Sequence, residues 1–344
     1  MTAISEAVSK LVLGRDLEYE EARSVMDSIM SGQCSSVSIA SYLTALAQKG
    51  ETMEEIAASA AEMRAHSIKL PGDHSRDLEI VGTGGDRSGS FNISTTSAFV
   101  IAACGVRVAK HGNRAMSSRS GAADVLEALG ANLDISPETS AEILERCGFT
   151  FMFAQRYHSS MRYVAPVRKE LGFRTVFNIL GPLTNPAAAG NQLTGVYSEE
   201  LVGPVARALD MLGVLNAMVV YGRDGIDEMS VCAETTVGEM RHGTYDPYVV
   251  SPEDFGLVRH SHDDLLGGGP QENAAITRSV LGGSTGAKRD AVLLNAGAGL
   301  YTVGGASSIQ EGIEMARNAI DSGEASKRLD LFVRLTGEGD VLDP

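Results

Sequence analysis

Apolar residues in the first part of the chain recur every three or four positions. Ala22, Val25, Met26 and Ile29 form one stripe, and Ile39, Tyr42, Leu43 and Leu46 form a second, which is the spacing of helices with one buried face. Gly32 and Gly50 follow these stripes, where a helix ends in a left-handed residue. Thr52 and Glu55 have capping-box spacing ahead of Ile56, Ala60 and Met63. Residues 1–72 are therefore expected to form a small helical domain, with a linker over 66–76 centred on Pro71-Gly72.

Beyond Leu78 the pattern shortens. Apolar runs at 78–81, 106–109, 150–154, 217–221 and 291–294 predict strands, while 95–104, 137–146 and 201–212 predict helices between them. Val125, Leu126 and Leu129 mark a further amphipathic helix that stops at Gly130. Strands alternating with helices predict an α/β domain over 73–344, with a mostly parallel central sheet covered by helices and ligand sites at the carboxyl ends of the strands.

Composition narrows the chemistry. The 344 residues exceed a single usual core, and the 38 glycines fit many tight turns between strands and helices. The net charge of −15 disfavours broad attachment to nucleic acid or to an anionic membrane, so an anionic ligand must be captured locally. No apolar stretch approaches a membrane span, and a cytoplasmic protein without nucleic-acid or membrane partners is expected. Cys34, Cys104, Cys147 and Cys232 are scattered and form no CxxC pair. Four reduced, mostly buried thiols are expected, with neither a disulfide framework nor a metal cluster.

Against this acidic background the segment KHGNRAMSSRSGAADVLEALG (110–130) stands out. Lys110, Arg114 and Arg119 bring charge, Ser117, Ser118 and Ser120 bring hydroxyls, and Gly112 and Gly121 admit close backbone approach. The helix that follows offers unpaired N–H groups to an anion. Spacing alone leaves a solvated helix entry as an equal reading. The run from Ile80 to Asp86 is a strand followed by a glycine turn that matches neither GxGxxG nor GxxxxGK[ST]. Residues 90–95 then open a second helix with hydroxyls at cap positions, and two such entries suit a ligand with two phosphate groups. Asp227-Glu228, after a strand, can share divalent cations or lie in an exposed loop. Arg168 can fork onto a small carboxylate or pair on a helix surface.

These segments occur together in one order: GTGGD (82–86), FNIST (91–95), KHGNRAMSSRSGAADVLEALG (110–130), PVRKELGFRTVFNILGPLTNP (166–186), DGIDEMS (224–230), DLLGGGPQENA (264–274) and DAVLLNAGAGLY (290–301). The set resembles the anthranilate phosphoribosyltransferase family, the tryptophan-pathway branch of the nucleoside-phosphorylase-like phosphoribosyltransferases. The resemblance implies an active site in a cleft between the two domains, a homodimer formed through the helical domains, and part of 155–185 crossing back as a hinge. It implies 5-phosphoribosyl 1-diphosphate (PRPP) bound by Gly82, Gly85, Asp86, Ser90, Asn92, Ile93, Ser94, Thr95, Lys110, His111, Gly112, Asn113, Arg114, Ala115, Met116, Ser117, Ser118 and Ala122. Anthranilate falls to Gly82, Asn113 and Arg168, and Mg²⁺, two ions per active site, to Ser94, Asp227 and Glu228. His111 is a proton acceptor or a positioning group. The chain departs from the family pattern at Ser90, at Ala115-Met116, and at Gln155, Ser159 and Ser160. The alternatives are a pyrimidine nucleoside phosphorylase and a non-catalytic nucleic-acid-binding relative. Arg168 in its PVRKELG setting and the acidic balance weigh against them.

Overall fold

The computed structural model describes residues 2–115 and 119–338. Four helices come first: α1 (Ala3–Leu11), α2 (Tyr19–Met30), α3 (Ser36–Lys49) and α4 (Met53–Ala65). The stripes named above face inward, and Val25, Met26, Ile29, Tyr42, Leu43, Leu46 and Ile56 lose nearly all contact with solvent. The Thr52–Glu55 capping box forms. Glu55 does more than cap, because its carboxylate also accepts the Leu17 N–H at 2.9 Å and pairs with Lys49 at 2.8 Å. A fully buried acid with that many donors ties α4 to α3 and to the connection that leads into α2.

Seven strands follow: β1 (Leu78–Gly82), β2 (Val108–Gly112), β3 (Phe149–Phe153), β4 (Asn191–Gly195), β5 (Asn216–Gly222), β6 (Thr235–Arg241) and β7 (Thr244–Val250). Their order is β3-β2-β1-β4-β5-β6-β7, parallel through β5 and antiparallel at β6 and β7. The connections reverse direction between β1 and β4, which opens a crevice at their carboxyl ends. Gly82 and Gly195 are register partners there.

The helices of this part are α5 (Ile93–Ala103), α6 (Ala122–Ala128), α7 (Pro137–Cys147), α8 (Ala154–Tyr157), α9 (Ala165–Leu171), α10 (Phe177–Leu183), α11 (Val202–Met211), α12 (Pro270–Leu281), α13 (Ala287–Thr302), α14 (Ile309–Asp321) and α15 (Glu324–Glu338). Phe99, Phe149 and Phe332 bring α5, β3 and α15 together, with ring centroids 4.4 to 5.9 Å apart. Val167 of α9 and Phe177, Leu180 and Leu183 of α10 share the apolar cluster of the first four helices, so α9 and α10 pack against the bundle. The 66–76 stretch is neither helix nor strand but is tethered. His74 Nδ1 lies 2.7 Å from Asp77, His74 Nε2 3.1 Å from Pro71 O, and Arg107 Nε 2.6 Å from Asp77.

Three expectations are corrected. Residues 291–294 lie in α13 and not in a strand, because this helix is buried on nearly every face and shows no helical period. Its Gly297 lets α14 approach so closely that a Cβ there would sit 2.7 Å from the Ile313 backbone nitrogen. The strand expected at 106–109 runs over 108–112, so Lys110 and His111 stand inside β2 and not in a turn. Of the thiols only Cys147 is buried; Cys34, Cys104 and Cys232 are half-buried, and all four are free. Strands β4, β6 and β7 were not anticipated. β4 reads Asn-Gln-Leu-Thr-Gly, and its buried polar groups find partners, Gln192 donating to Pro182 O at 2.8 Å. β6 and β7 join through His242-Gly243, both at positive φ (47° and 78°), as a two-residue hairpin requires. Among the described residues no helix is long and apolar enough to cross a membrane.

Candidate active site

The crevice is floored by glycine. A Cβ at Gly82 would lie 2.2 Å from Asp227 Oδ2, and one at Gly195 would lie 1.4 Å from the Asp227 carbonyl oxygen. Only with both side chains absent can Asp227 wedge between the ends of β1 and β4. Its Oδ2 accepts the Gly84 N–H at 2.6 Å.

Asp86, Asp227 and Glu228 bring carboxylate oxygens within 4.8 Å of one another. Asp86 Oδ2 and Glu228 Oε2 are buried without a hydrogen-bond partner among the described residues. Burial, with the Asp86 charge second, pushes the Asp227 carboxyl up to about 7. Burial and the two neighbouring carboxylates hold Glu228 well above the usual range. One buried and two half-buried acids, two of them with an unpartnered buried oxygen, fit a hard divalent cation, whose charge would favour the ionised forms of Asp227 and Glu228. Asp86 thus joins the two acids that the sequence singled out. The Ser94 hydroxyl accepts a hydrogen bond from Lys110 Nζ at 3.3 Å.

Lys110, expected to bring charge at the start of the 110–130 segment, is 2% exposed. Its ammonium donates to Ile80 O and Ser94 Oγ. Burial lowers its pKa, and Glu79, Glu228 and Asp227 oppose that shift. Glu79 is fully buried on β1, pushed up to about 8 by burial, and both its oxygens accept the His111 N–H, at 3.1 and 3.2 Å. Lys110 therefore lends charge from beneath the site.

His111 points Nδ1 at Gly181 O, 3.3 Å away, and leaves Nε2 buried without a partner among the described residues. A carbonyl only accepts, so the proton sits on Nδ1 and Nε2 is the open acceptor. Burial, then His158 and Lys110, push its pKa well below the ordinary value, which keeps the ring neutral. His158, which motif reading passed over, stands with its ring 5.0 Å from that of His111, and burial takes it down to about 4.

The remaining candidates divide. Arg114 pairs with Glu127 and Asp124 of α6 and lies over the Phe153 ring at 5.3 Å, so its charge is already matched. Asp124 accepts the N–H groups of Ala115 and Gly121, each at 2.8 Å, folding the loop onto the start of α6 at Ala122. Asn113 accepts the Arg114 N–H at 2.8 Å, and Gly112 packs where a Cβ would meet Phe151 at 2.8 Å. Met116, Ser117 and Ser118 lie outside the described residues. Asn92 caps α5 in position and links two loops, donating to Ser120 O at 3.4 Å and accepting from Asn273 at 2.9 Å. Ser90 bonds Ser88 and bridges to Leu266. Ile93 and Thr95 are 1% exposed; their side chains support the start of α5. The Ser94 and Thr95 N–H groups there have no acceptor among the described residues, and such a helix start favours an anion. Gly85, at φ 74°, turns the loop between Gly84 and Asp86.

Arg168 of α9 is half-buried, has its pKa lowered by burial, and stacks over Phe177 at 5.5 Å. Among the described residues it forms no ion pair, and no hydrogen bond joins it to Asn113 or Gly82. Arg174, six residues on, donates to Gly85 O at 2.5 Å. Motif reading gave neither Arg174 nor Asn273 a role; their place inside the longer FRTVFN and GGGPQEN runs was the available signal.

Comparison with known proteins agrees with this architecture. A model of the a/b domain of a glycosyl transferase family matches residues 75–326, and one of that family's helical bundle domain matches 5–67. The chain is 56% identical to the anthranilate phosphoribosyltransferase of Methanobrevibacter smithii over 97% of this chain and 99% of that one. The crystal structure of the Thermus thermophilus enzyme superposes with a TM-score of 0.92 at 48% identity, covering 98% of this chain and 100% of that one. The Saccharomyces cerevisiae enzyme in complex with PRPP and Mg gives a TM-score of 0.88 at 31% identity, covering 97% and 98%; it is also known in complex with 4-fluoroanthranilate. The chain belongs to this two-domain glycosyl transferase family and, within it, to the anthranilate phosphoribosyltransferases.

Proposed function

We propose that the chain transfers the phosphoribosyl group of PRPP to the amino nitrogen of anthranilate, releasing pyrophosphate, in tryptophan biosynthesis. The observation that carries this reading is the clustered Asp86–Asp227–Glu228 carboxylates and the open N-terminus of α5, at the crevice between β1 and β4. Asp86, Asp227, Glu228 and Ser94 would hold Mg²⁺, two ions in the working complex, which offset the charge of the diphosphate when bound. The glycine turn at 82–85 gives the diphosphate backbone room, and the Ser94 and Thr95 N–H groups face its charge.

The acceptor is an arylamine, neutral near pH 7, so the protein must position it more than activate it. Arg168, free of any carboxylate of its own, forks onto the acid group, and Asn113 steadies it. The neutral His111 adds no repulsion to the positive charge that grows on the ribose. Its open Nε2 can take the late proton or hold the amine in line. The bundle is assigned a homodimer surface, supported by the exposed Val12 and Leu13 after α1 and Val37 in α3. The decisive experiment follows anthranilate fluorescence with PRPP and Mg²⁺ present. Anthranilate must be consumed only when both are added, and no consumption at micromolar enzyme would overturn the reading.

A further inference from the structure

We propose that Arg174 is a positioning residue for the glycine loop at 82–89, and the contact by which the segment packed on the helical bundle holds that loop against the carboxylate group. The inference rests on the transferase reading above. Arg174 lies between α9 and α10, whose Val167, Phe177 and Leu180 are anchored in the bundle cluster. Its Nη2 donates to Gly85 O at 2.5 Å, and its Cζ stands 4.0 Å from the centre of the Tyr197 ring, just past β4. Stacking on an aromatic face fixes the plane of a guanidinium and so the direction of its N–H groups. Glu51, in the turn between α3 and α4, is the other charged neighbour of Tyr197. The bundle, the returning segment and the end of β4 therefore meet around the Arg174–Tyr197 stack.

The loop needs such a strut. Gly84, Gly85 and Arg87 all have positive φ, at 66°, 74° and 61°, and for arginine that conformation is strained. Thr83 N–H on Gly195 O and Gly267 N–H on Gly89 O fix the two ends of the loop, and between them the turn is held by Gly84 N–H on Asp227 and Gly85 C=O on Arg174. In a planar trans peptide the carbonyl and the next N–H point in opposite directions. With Gly85 O held on Arg174, the Asp86 N–H faces away from it, and that N–H has no acceptor among the described residues. The same peptide sets where the Asp86 carboxylate enters the acidic group. Arg174 thus aims one free donor and one candidate cation ligand through the Gly85–Asp86 peptide.

The test compares Arg174→Ala and Arg174→Lys with the unaltered protein in steady-state assays with PRPP and anthranilate varied in turn. Calorimetric titration with PRPP and Mg²⁺, and thermal unfolding, accompany the kinetics. Arg174→Ala is expected to raise the KM for PRPP and weaken its calorimetric affinity by about tenfold, the effect of one lost charge-assisted hydrogen bond. The anthranilate KM should stay within about twofold and the melting temperature should not move, as suits an exposed side chain. Lysine keeps the charge but loses the planar fork, so Arg174→Lys should fall between the two. An unchanged PRPP affinity in Arg174→Ala overturns the proposal, as does an equal rise in both KM values with a lower melting temperature. Lack of transferase activity in the unaltered protein defeats the functional reading instead, while the calorimetric comparison still decides the role of Arg174.

Discussion

Gly82→Ala separates the two demands placed on the glycine floor. The new methyl would lie 2.2 Å from Asp227 Oδ2 and 2.7 Å from its Cγ, well inside contact distance. The backbone of Asp227 cannot retreat, because its carbonyl is already against Gly195, so the carboxylate must rotate. Rotation breaks its hydrogen bond from Gly84 N–H and carries Oδ2 away from Asp86 and Glu228. A charge-assisted bond is worth about 1.5 to 3 kcal/mol, which is roughly a 10- to 100-fold weaker hold on Mg²⁺. Initial rates at saturating PRPP and anthranilate, read against Mg²⁺ concentration, should shift to higher Mg²⁺ by that factor. Because a rotating carboxylate relieves the clash, the melting temperature should fall by only a few degrees. Gly195→Ala places its methyl inside a backbone carbonyl, 1.4 Å away, and should instead abolish soluble folded protein. A Gly82→Ala enzyme with unaltered Mg²⁺ dependence would refute the assignment of Asp227 to the cation and the argument for the glycine floor.

The remaining predictions can be checked with the same protein. Arg168→Ala should raise the anthranilate KM at least about tenfold, by loss of a charge-assisted contact, and leave that for PRPP within about twofold; steady-state kinetics with each substrate varied decide it. Asp227 has a folded-state pKa raised to about 7 from an ordinary value of 3.8, so the folded state binds protons more tightly than the unfolded one. Without Mg²⁺, stability contributed through this group must therefore fall as pH rises from about 4 to 7. Thermal unfolding across that range should show the decline, and Asp227→Asn should flatten it while removing Mg²⁺-dependent turnover. His74 has its pKa raised, chiefly by the Asp77 carboxylate, so its contribution is present below the ordinary imidazole value and is lost as pH rises through the folded value. His74→Gln should erase that alkaline loss in thermal unfolding, and a pH profile identical to that of the unaltered protein would count against the tether.

What could be read along the chain was local. The inward stripes of α2 and α3 and the Thr52–Glu55 cap follow from spacing within one or two turns, and they form as expected. Strand β1 with its glycine turn was equally legible, since a short apolar run ending in Gly82 needs no distant information. Reading failed where burial comes from neighbours. The helix at 287–302 shows no stripe because the sheet side and α14 both cover it, and β4 is polar because its side chains are paired inside the protein.

The candidate site divides along the same line. By itself the sequence determined which residue types stand in order at strand ends: GTGGD, FNIST, KHGNR and the Asp227-Glu228 pair. Tertiary structure alone decided which of them meet and in what charge state. It brought Asp227 to Gly84 across 143 positions, added Asp86 to the acidic group, sank Lys110 beneath it, matched Arg114 to α6 and left Arg168 without an ion pair among the described residues. The reason is physical: desolvation and Coulomb forces act through space, so an acid's pKa and a cation's availability belong to the packed neighbourhood and not to the motif.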